Sequence, residues 1–86
     1  MNIEIKHYKL LFNKIMGDGE LVPQNQDLIL IKQDNDGLMF FETHGNISKI
    51  LFWAKDEEVK FVKKTNENWD EEKINERNRY INGEFL

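Results

Sequence analysis

The sequence predicts an α+β fold in which a four-stranded antiparallel sheet is flanked by two helices. Residues 27–64 hold four apolar runs divided by three short polar turns, the pattern of an antiparallel meander. An apolar stripe of helical spacing covers about residues 4–16, and a segment with helix start and stop signals covers about residues 69–81. Eighty-six residues support one modest core, so we expect one domain over residues 1–86.

The N-terminal helix is predicted from apolar residues that would share one helical face. They lie at positions i, i+3, i+4 and i+7: Tyr8, Leu11, Phe12 and Ile15. Gly17 follows where a left-handed C-cap would end the helix. Ile3 and Ile5 alternate with polar residues, however, so a short edge strand before the helix remains open.

The first two turns of the meander set its predicted register. Asn35-Asp36-Gly37 suits a three-residue hairpin with Gly37 in the left-handed region, which would pair Ile31 with Phe41. Gly45-Asn46 suits a two-residue turn. The pairs that this second turn would form bring together opposite charges, two hydroxyls and two apolar side chains: Glu42 with Lys49, Thr43 with Ser48, and Leu38 with Trp53.

A tight turn at Asp56-Glu57 would place the last strand beside the third, with Phe52 next to Phe61 and Trp53 next to Lys60. These registers predict a core of three phenylalanines packed against the N-terminal helix. Its members would be Phe41, Phe52, Phe61, Leu11, Phe12 and Ile15. The opposite face, with Phe40 and Trp53, is mixed in polarity, as expected where a helix covers it or a partner binds.

The C-terminal helix is predicted from signals at both of its ends. Asn68 to Glu71 resemble a capping box with acids in the first turn, where the helix dipole favours them. Arg77 and Arg79 lie in the last turns, and Asn82-Gly83 ends the helix. Because its apolar stripe is thin, we expect this helix to pack along one edge or through its ends.

Composition narrows the function classes. The net charge of −4 disfavours binding to a phosphate backbone, so nucleic acid is a disfavoured partner. The absence of Cys fits a reducing, cytoplasmic location, and no apolar run approaches the roughly 20 residues that span a bilayer. Ten Lys against two Arg, with ten Asn and nine Ile, indicate AT-rich coding, as in a low-GC bacterium, its phages or its plasmids.

Candidate chemical motifs receive little support. The Asp34 to Gly37 segment resembles part of an EF-hand loop, but Lys32 and Thr43 stand where principal calcium ligands should be, so a hairpin turn is the better interpretation. His7 and His44 lie far apart in sequence without a patterned acid or thiol partner, and each is expected at the surface or at a strand end. We therefore predict no catalytic residue, no metal and no cofactor.

Two acidic clusters suggest a protein partner instead. The sequence predicts a non-enzymatic protein-binding module, a stoichiometric inhibitor of the phage counter-defence or toxin-immunity type, that acts as a monomer or homodimer on a basic nuclease or another nucleic-acid-binding protein. The predicted contact residues combine two sheet-face aromatics with the two acidic clusters: Phe40, Trp53, Asp56, Glu57, Glu58, Asp70, Glu71 and Glu72.

Two alternatives remain open. In the first, the sheet and helices would enclose a small-ligand or catalytic pocket with His44 or Glu42 at its rim. In the second, the sheet face would stack single-stranded bases on Phe40 and Trp53 beside Lys49 and Lys60.

Overall fold

The computed structural model describes residues 1–45 and 48–83, which form seven strands, one 3-10 turn and one helix. The strands are β1 (Asn2–Leu10), β2 (Lys14–Ile15), β3 (Leu21–Val22), β4 (Leu28–Gln33), β5 (Met39–Thr43), β6 (Leu51–Ala54) and β7 (Val59–Asn68). The 3-10 turn covers Asp56–Glu58, and helix α1 covers Glu71–Ile81. Five strands form one antiparallel sheet in the order β6-β5-β4-β1-β7, and β2 pairs with β3 in a small separate ribbon.

The predicted N-terminal helix is wrong, because residues 2–10 form strand β1 between β4 and β7. Nine residues of β1 pair with β7, and the alternation of Ile3, Ile5 and His7 aims these side chains toward one face. Of the predicted helical stripe only Tyr8 packs against the core, because Leu11, Phe12 and Ile15 are 46%, 47% and 72% exposed. Long-range strand pairing therefore overrides a locally plausible helical spacing.

The four-stranded meander is also wrong in its last strand. Strands β4, β5 and β6 are consecutive neighbours, but β7 crosses to the far edge and pairs with β1. The predicted pairs of Phe52 with Phe61 and of Trp53 with Lys60 are therefore not formed. A 3-10 turn occupies the position of the predicted tight turn and redirects the chain.

The first predicted hairpin register holds beside the turn and fails only beyond a β-bulge. Near Gly37, whose φ is +84°, Lys32 pairs with Phe40, but a β-bulge between Leu30 and Lys32 then pairs Leu30 with Phe41. The bulge accommodates one extra residue, so Ile31 does not pair with Phe41.

The β5–β6 register is displaced by two residues, and it pairs Phe40 with Trp53 and Glu42 with Leu51 in place of the predicted partners. A two-residue shift keeps every side chain on the same face of the sheet, so Phe41 and Phe52 lie on one face and pack together. Asn46 of the predicted second turn lies outside the described residues.

The sheet curls into a partly open barrel. Only residues 55–58 join the end of β6 to the start of β7, although these strands lie at opposite edges of the sheet. Four residues span too short a distance to cross a flat five-stranded sheet. The interior is a cluster drawn from both edges and from β3: Leu10, Val22, Leu28, Met39, Phe41, Phe52, Ala54 and Val59.

Helix α1 covers the other face of the sheet. The helix is confirmed within two residues of its predicted start, and the carboxylate of Asp70 accepts the Lys73 backbone N–H at 2.8 Å as its N-cap. Trp69, just before the helix, packs with Phe40 in a second buried cluster. The mixed sheet face is therefore covered by the helix. No helix in the described ranges is long and apolar enough to span a membrane.

Candidate functional site

The structure separates the eight predicted partner-binding residues. Phe40 is 2% exposed beneath α1, and Trp53 is half-buried with the Lys32 ammonium 5.5 Å from its ring centre. Since the helix already covers Phe40, its side chain has little surface to offer a partner. Lys49 contacts the Tyr80 ring, and Lys60 lies on β7 at the opposite edge from Trp53, so these residues do not assemble the stacking surface of the nucleic-acid alternative.

The acidic cluster at Asp56 to Glu58 lies beside two further acids that are distant from it in sequence. Asp56 and Glu57 line a depression together with Asp34 and Asp36 from the β4–β5 turn, and Lys55 is the only base among its lining residues. Four carboxylates against one ammonium give a local formal charge of −3. The depression has a volume of about 640 Å³. This surface brings four of the sixteen acidic residues of the chain to one concave place, where their charges make the local potential negative.

Two acids in this region, Glu58 and Asp34, stabilise the local structure through ion pairs or hydrogen bonds. Glu58 binds the Lys14 ammonium at 3.1 Å and accepts the Lys55 backbone N–H at 2.8 Å. The hydrogen bond from the Lys55 backbone, more than the charge of Lys14, lowers the pKa of Glu58. Asp34 likewise accepts the backbone N–H groups of Asp36 and Leu38, so it stabilises the turn. The EF-hand-like segment therefore folds as a hairpin turn, as predicted.

The second acidic cluster surrounds the start of α1. Asp70 is the N-cap, while Glu71 and Glu72 are exposed in the first turn. These acids line a shallow depression with Asn75 and Arg79, so a base lies among them. Their position matches the favourable end of the helix dipole, which explains them without a partner.

A network of imidazoles and carboxylates is the feature that the sequence did not predict. The Nδ1 atoms of His7 and His44 lie 3.0 and 3.2 Å from Asp27, and their Nε2 atoms lie 3.4 and 3.9 Å from Glu67. His7 is 3% exposed in the middle of β1, so its predicted place at the surface or a strand end is wrong. The only sequence signal was its position in the alternation of Ile3 and Ile5.

Burial alone would raise the pKa of Glu67. The hydrogen bond from the Trp69 indole, at 3.1 Å, and the charges of His44 and His7 outweigh it, so this pKa is lowered. The carboxylate also accepts the Thr65 hydroxyl at 3.2 Å. Glu67 is therefore held in its charged form between β7 and the start of the helix.

The contacts Asp27–His7–Thr65 follow the order of an orienting acid, a base and a hydroxyl. His7 Nε2 lies 2.7 Å from the Thr65 hydroxyl, but that hydroxyl donates to Glu67 and the imidazole is almost fully covered. A substrate would need access to both the imidazole and the hydroxyl. We therefore interpret these hydrogen-bonded side chains as a structural link that joins β1, β7 and the segment before β4. Among the residues that the structure describes, no three such side chains are arranged to hold a metal ion.

Comparison with known proteins finds no matching family model, no matching curated protein and no matching solved structure. The functional argument therefore depends on the geometry of the chain itself.

Proposed function

We propose that this protein is a small cytoplasmic protein-binding module whose acidic depression receives a basic segment of another protein. The observation that supports the proposal is the convergence of Asp34, Asp36, Asp56 and Glu57, from two turns about twenty residues apart, on one concave surface. A Lys- or Arg-rich segment would replace the mutual repulsion of these carboxylates with charge-assisted hydrogen bonds.

The partner class remains a basic nuclease or another nucleic-acid-handling protein, and the mode of action is stoichiometric inhibition by occupying a basic surface. An acidic surface of this kind competes with phosphates for the same lysines and arginines. The proposed contact leaves out Phe40, because α1 buries that residue. The proposed contact includes Asp56 and Glu57, because they are exposed in the 3-10 turn.

The test combines capture and titration. Tagged protein is used to capture partners from a low-GC bacterial lysate, and a Lys/Arg-rich peptide from the captured protein is then titrated by calorimetry. The test variant Asp36→Lys/Asp56→Lys/Glu57→Lys should weaken binding at least tenfold, because it reverses three charges that take no part in the interior. Asp34 is left intact, since it holds the turn.

The control is Glu71→Lys/Glu72→Lys, which reverses two exposed charges at the start of α1. We expect it to weaken binding less than threefold. Wild-type affinity should fall as salt rises from 0.05 to 0.5 M, because exposed charges are screened. Capture of no basic protein, or equal losses in both variants, would contradict the location or the nature of the proposed surface.

A further inference from the structure

The lysines of this acidic protein are unevenly placed. Residues 5–17 and 59–66 contain six lysines and no carboxylate, and the structure joins most of these residues as the paired strands β1 and β7. The remaining parts of the chain carry all of the acids. The net charge of −4 therefore conceals a basic two-stranded ribbon at one edge of the sheet.

Two cross-strand pairs in this ribbon join like charges, Lys6 with Lys64 and Lys9 with Lys60. Directly opposite like charges destabilise a sheet, so each pair needs a compensating group. Glu4 lies 4.0 Å from the Lys64 ammonium and provides that group for the first pair. Within residues 1–45 and 48–83, no side chain forms an ion pair with Lys9 or Lys60.

The uncompensated pair borders a depression of about 440 Å³ lined by Lys9, Leu10, Asn13, Gln24, Asn25 and Lys60. Its polar lining residues are two lysines and three side chains with carboxamides, without an acid. Asn13 Oδ1 accepts the Gln24 backbone N–H at 2.7 Å, which leaves the amide NH₂ as the donor end of that side chain. The nearby acid Glu58 is bound to Lys14 and to the Lys55 backbone, and Glu57 lines the acidic depression.

We propose that this depression, the Lys9–Lys60 site, binds the phosphate of a small phosphomonoester. Two ammonium groups on neighbouring strands match the two charges that a phosphomonoester carries at neutral pH, and carboxamide donors supply further hydrogen bonds to its oxygens. The volume suits a molecule of nucleotide size. The proposal is independent of the basic protein partner, since it uses other residues and the opposite charge.

The first test is a ¹H–¹⁵N NMR titration of the intact protein with sodium phosphate at pH 7.5, with sodium chloride holding the ionic strength constant. We expect saturable shifts at the amides of Lys9, Asn13, Gln24, Asn25 and Lys60. Adenosine monophosphate should bind at least as tightly as inorganic phosphate through the same amides. Shifts that do not saturate, or that spread evenly over the ribbon, would overturn the proposal.

Paired variants give the second test. Lys9→Gln/Lys60→Gln should raise the dissociation constant for phosphate at least tenfold, whereas Lys6→Gln/Lys64→Gln should change it less than twofold. Circular dichroism checks that both variants remain folded. Equal losses would show a general charge effect and refute the site. A single-stranded oligonucleotide without terminal phosphate that binds more tightly than adenosine monophosphate, and that both double variants weaken, would replace the proposal with a nucleic-acid backbone along the ribbon.

Discussion

Truncating Phe41 and Phe12 separately compares the contribution of a buried β5 residue to stability with that of a residue in the segment after β1. Phe41 is fully buried in the barrel interior, with its ring centre 5.2 Å from that of Tyr8 and 5.9 Å from that of Phe52. Phe12 is 47% exposed after the end of β1. The same change, Phe to Ala, is therefore made once inside the barrel and once at its surface.

The expected costs differ severalfold. Phe41→Ala should lower the free energy of unfolding by about 3–5 kcal/mol, because it removes buried surface, leaves a cavity and breaks two aromatic contacts. Phe12→Ala should cost about 0.7–1.5 kcal/mol, roughly half of the burial term for a Phe side chain, since water fills the vacated space. A domain of this length has about 4–13 kcal/mol in total, so only the first variant approaches complete unfolding.

Urea unfolding followed by tryptophan fluorescence and circular dichroism measures both values. Trp53 and Trp69 report on the sheet and on the start of α1, and coincident transitions would justify a two-state treatment. If Phe12→Ala cost as much as Phe41→Ala, a helix with Phe12 on its buried face would be correct and the strand assignment would fail.

Two further predictions concern acid stability and backbone strain. Because the pKa of Glu67 is lowered in the folded state, its contribution to stability is full above its ordinary pKa of 4.5 and is lost as the pH falls through the folded value. Glu67→Gln should therefore flatten the decline in melting temperature below about pH 5, and Glu57→Gln, at an exposed residue of the 3-10 turn, is the control. A wild-type decline in the Glu67 variant would contradict this reasoning. Gly37→Ala should lower the free energy of unfolding in urea by about 1–2 kcal/mol, because an L residue is strained at the Gly37 φ of +84°. The nearest atom would lie 4.0 Å from the added Cβ, so the cost comes from the backbone and not from a clash. Gly17→Ala, where φ is not positive and nothing lies within 4 Å, should be neutral or slightly stabilising, and equal effects of the two changes would refute the predicted strain.

The structure also separates the charges of this small chain into an acidic and a basic surface. Separating its lysines from its acids leaves an acidic depression between two turns and a basic ribbon on β1 and β7. Charge steering at each surface depends on the local potential and not on the net charge of −4. The net charge therefore does not describe the local charge of either surface.

The sequence by itself determined the features that depend on neighbouring residues. Helix α1 follows from Asp70, the first-turn acids and Gly83, and the β4–β5 turn follows from Gly37, because capping and positive φ are local requirements. Phe41 and Phe52 lie on one face as predicted although the register is shifted by two residues, since side chains alternate with that period.

Tertiary structure decided what depends on distant pairing. The spacing of Tyr8, Leu11 and Phe12 fits a helix, and pairing with the distant strands β7 and β4 makes residues 2–10 a strand. Once β7 crosses to the far edge, it brings Glu67 to His7 and Lys60 to Lys9 across more than fifty residues of sequence. Neither contact has a local signature, because strand order is set by the burial of both sheet faces together and not by any single segment.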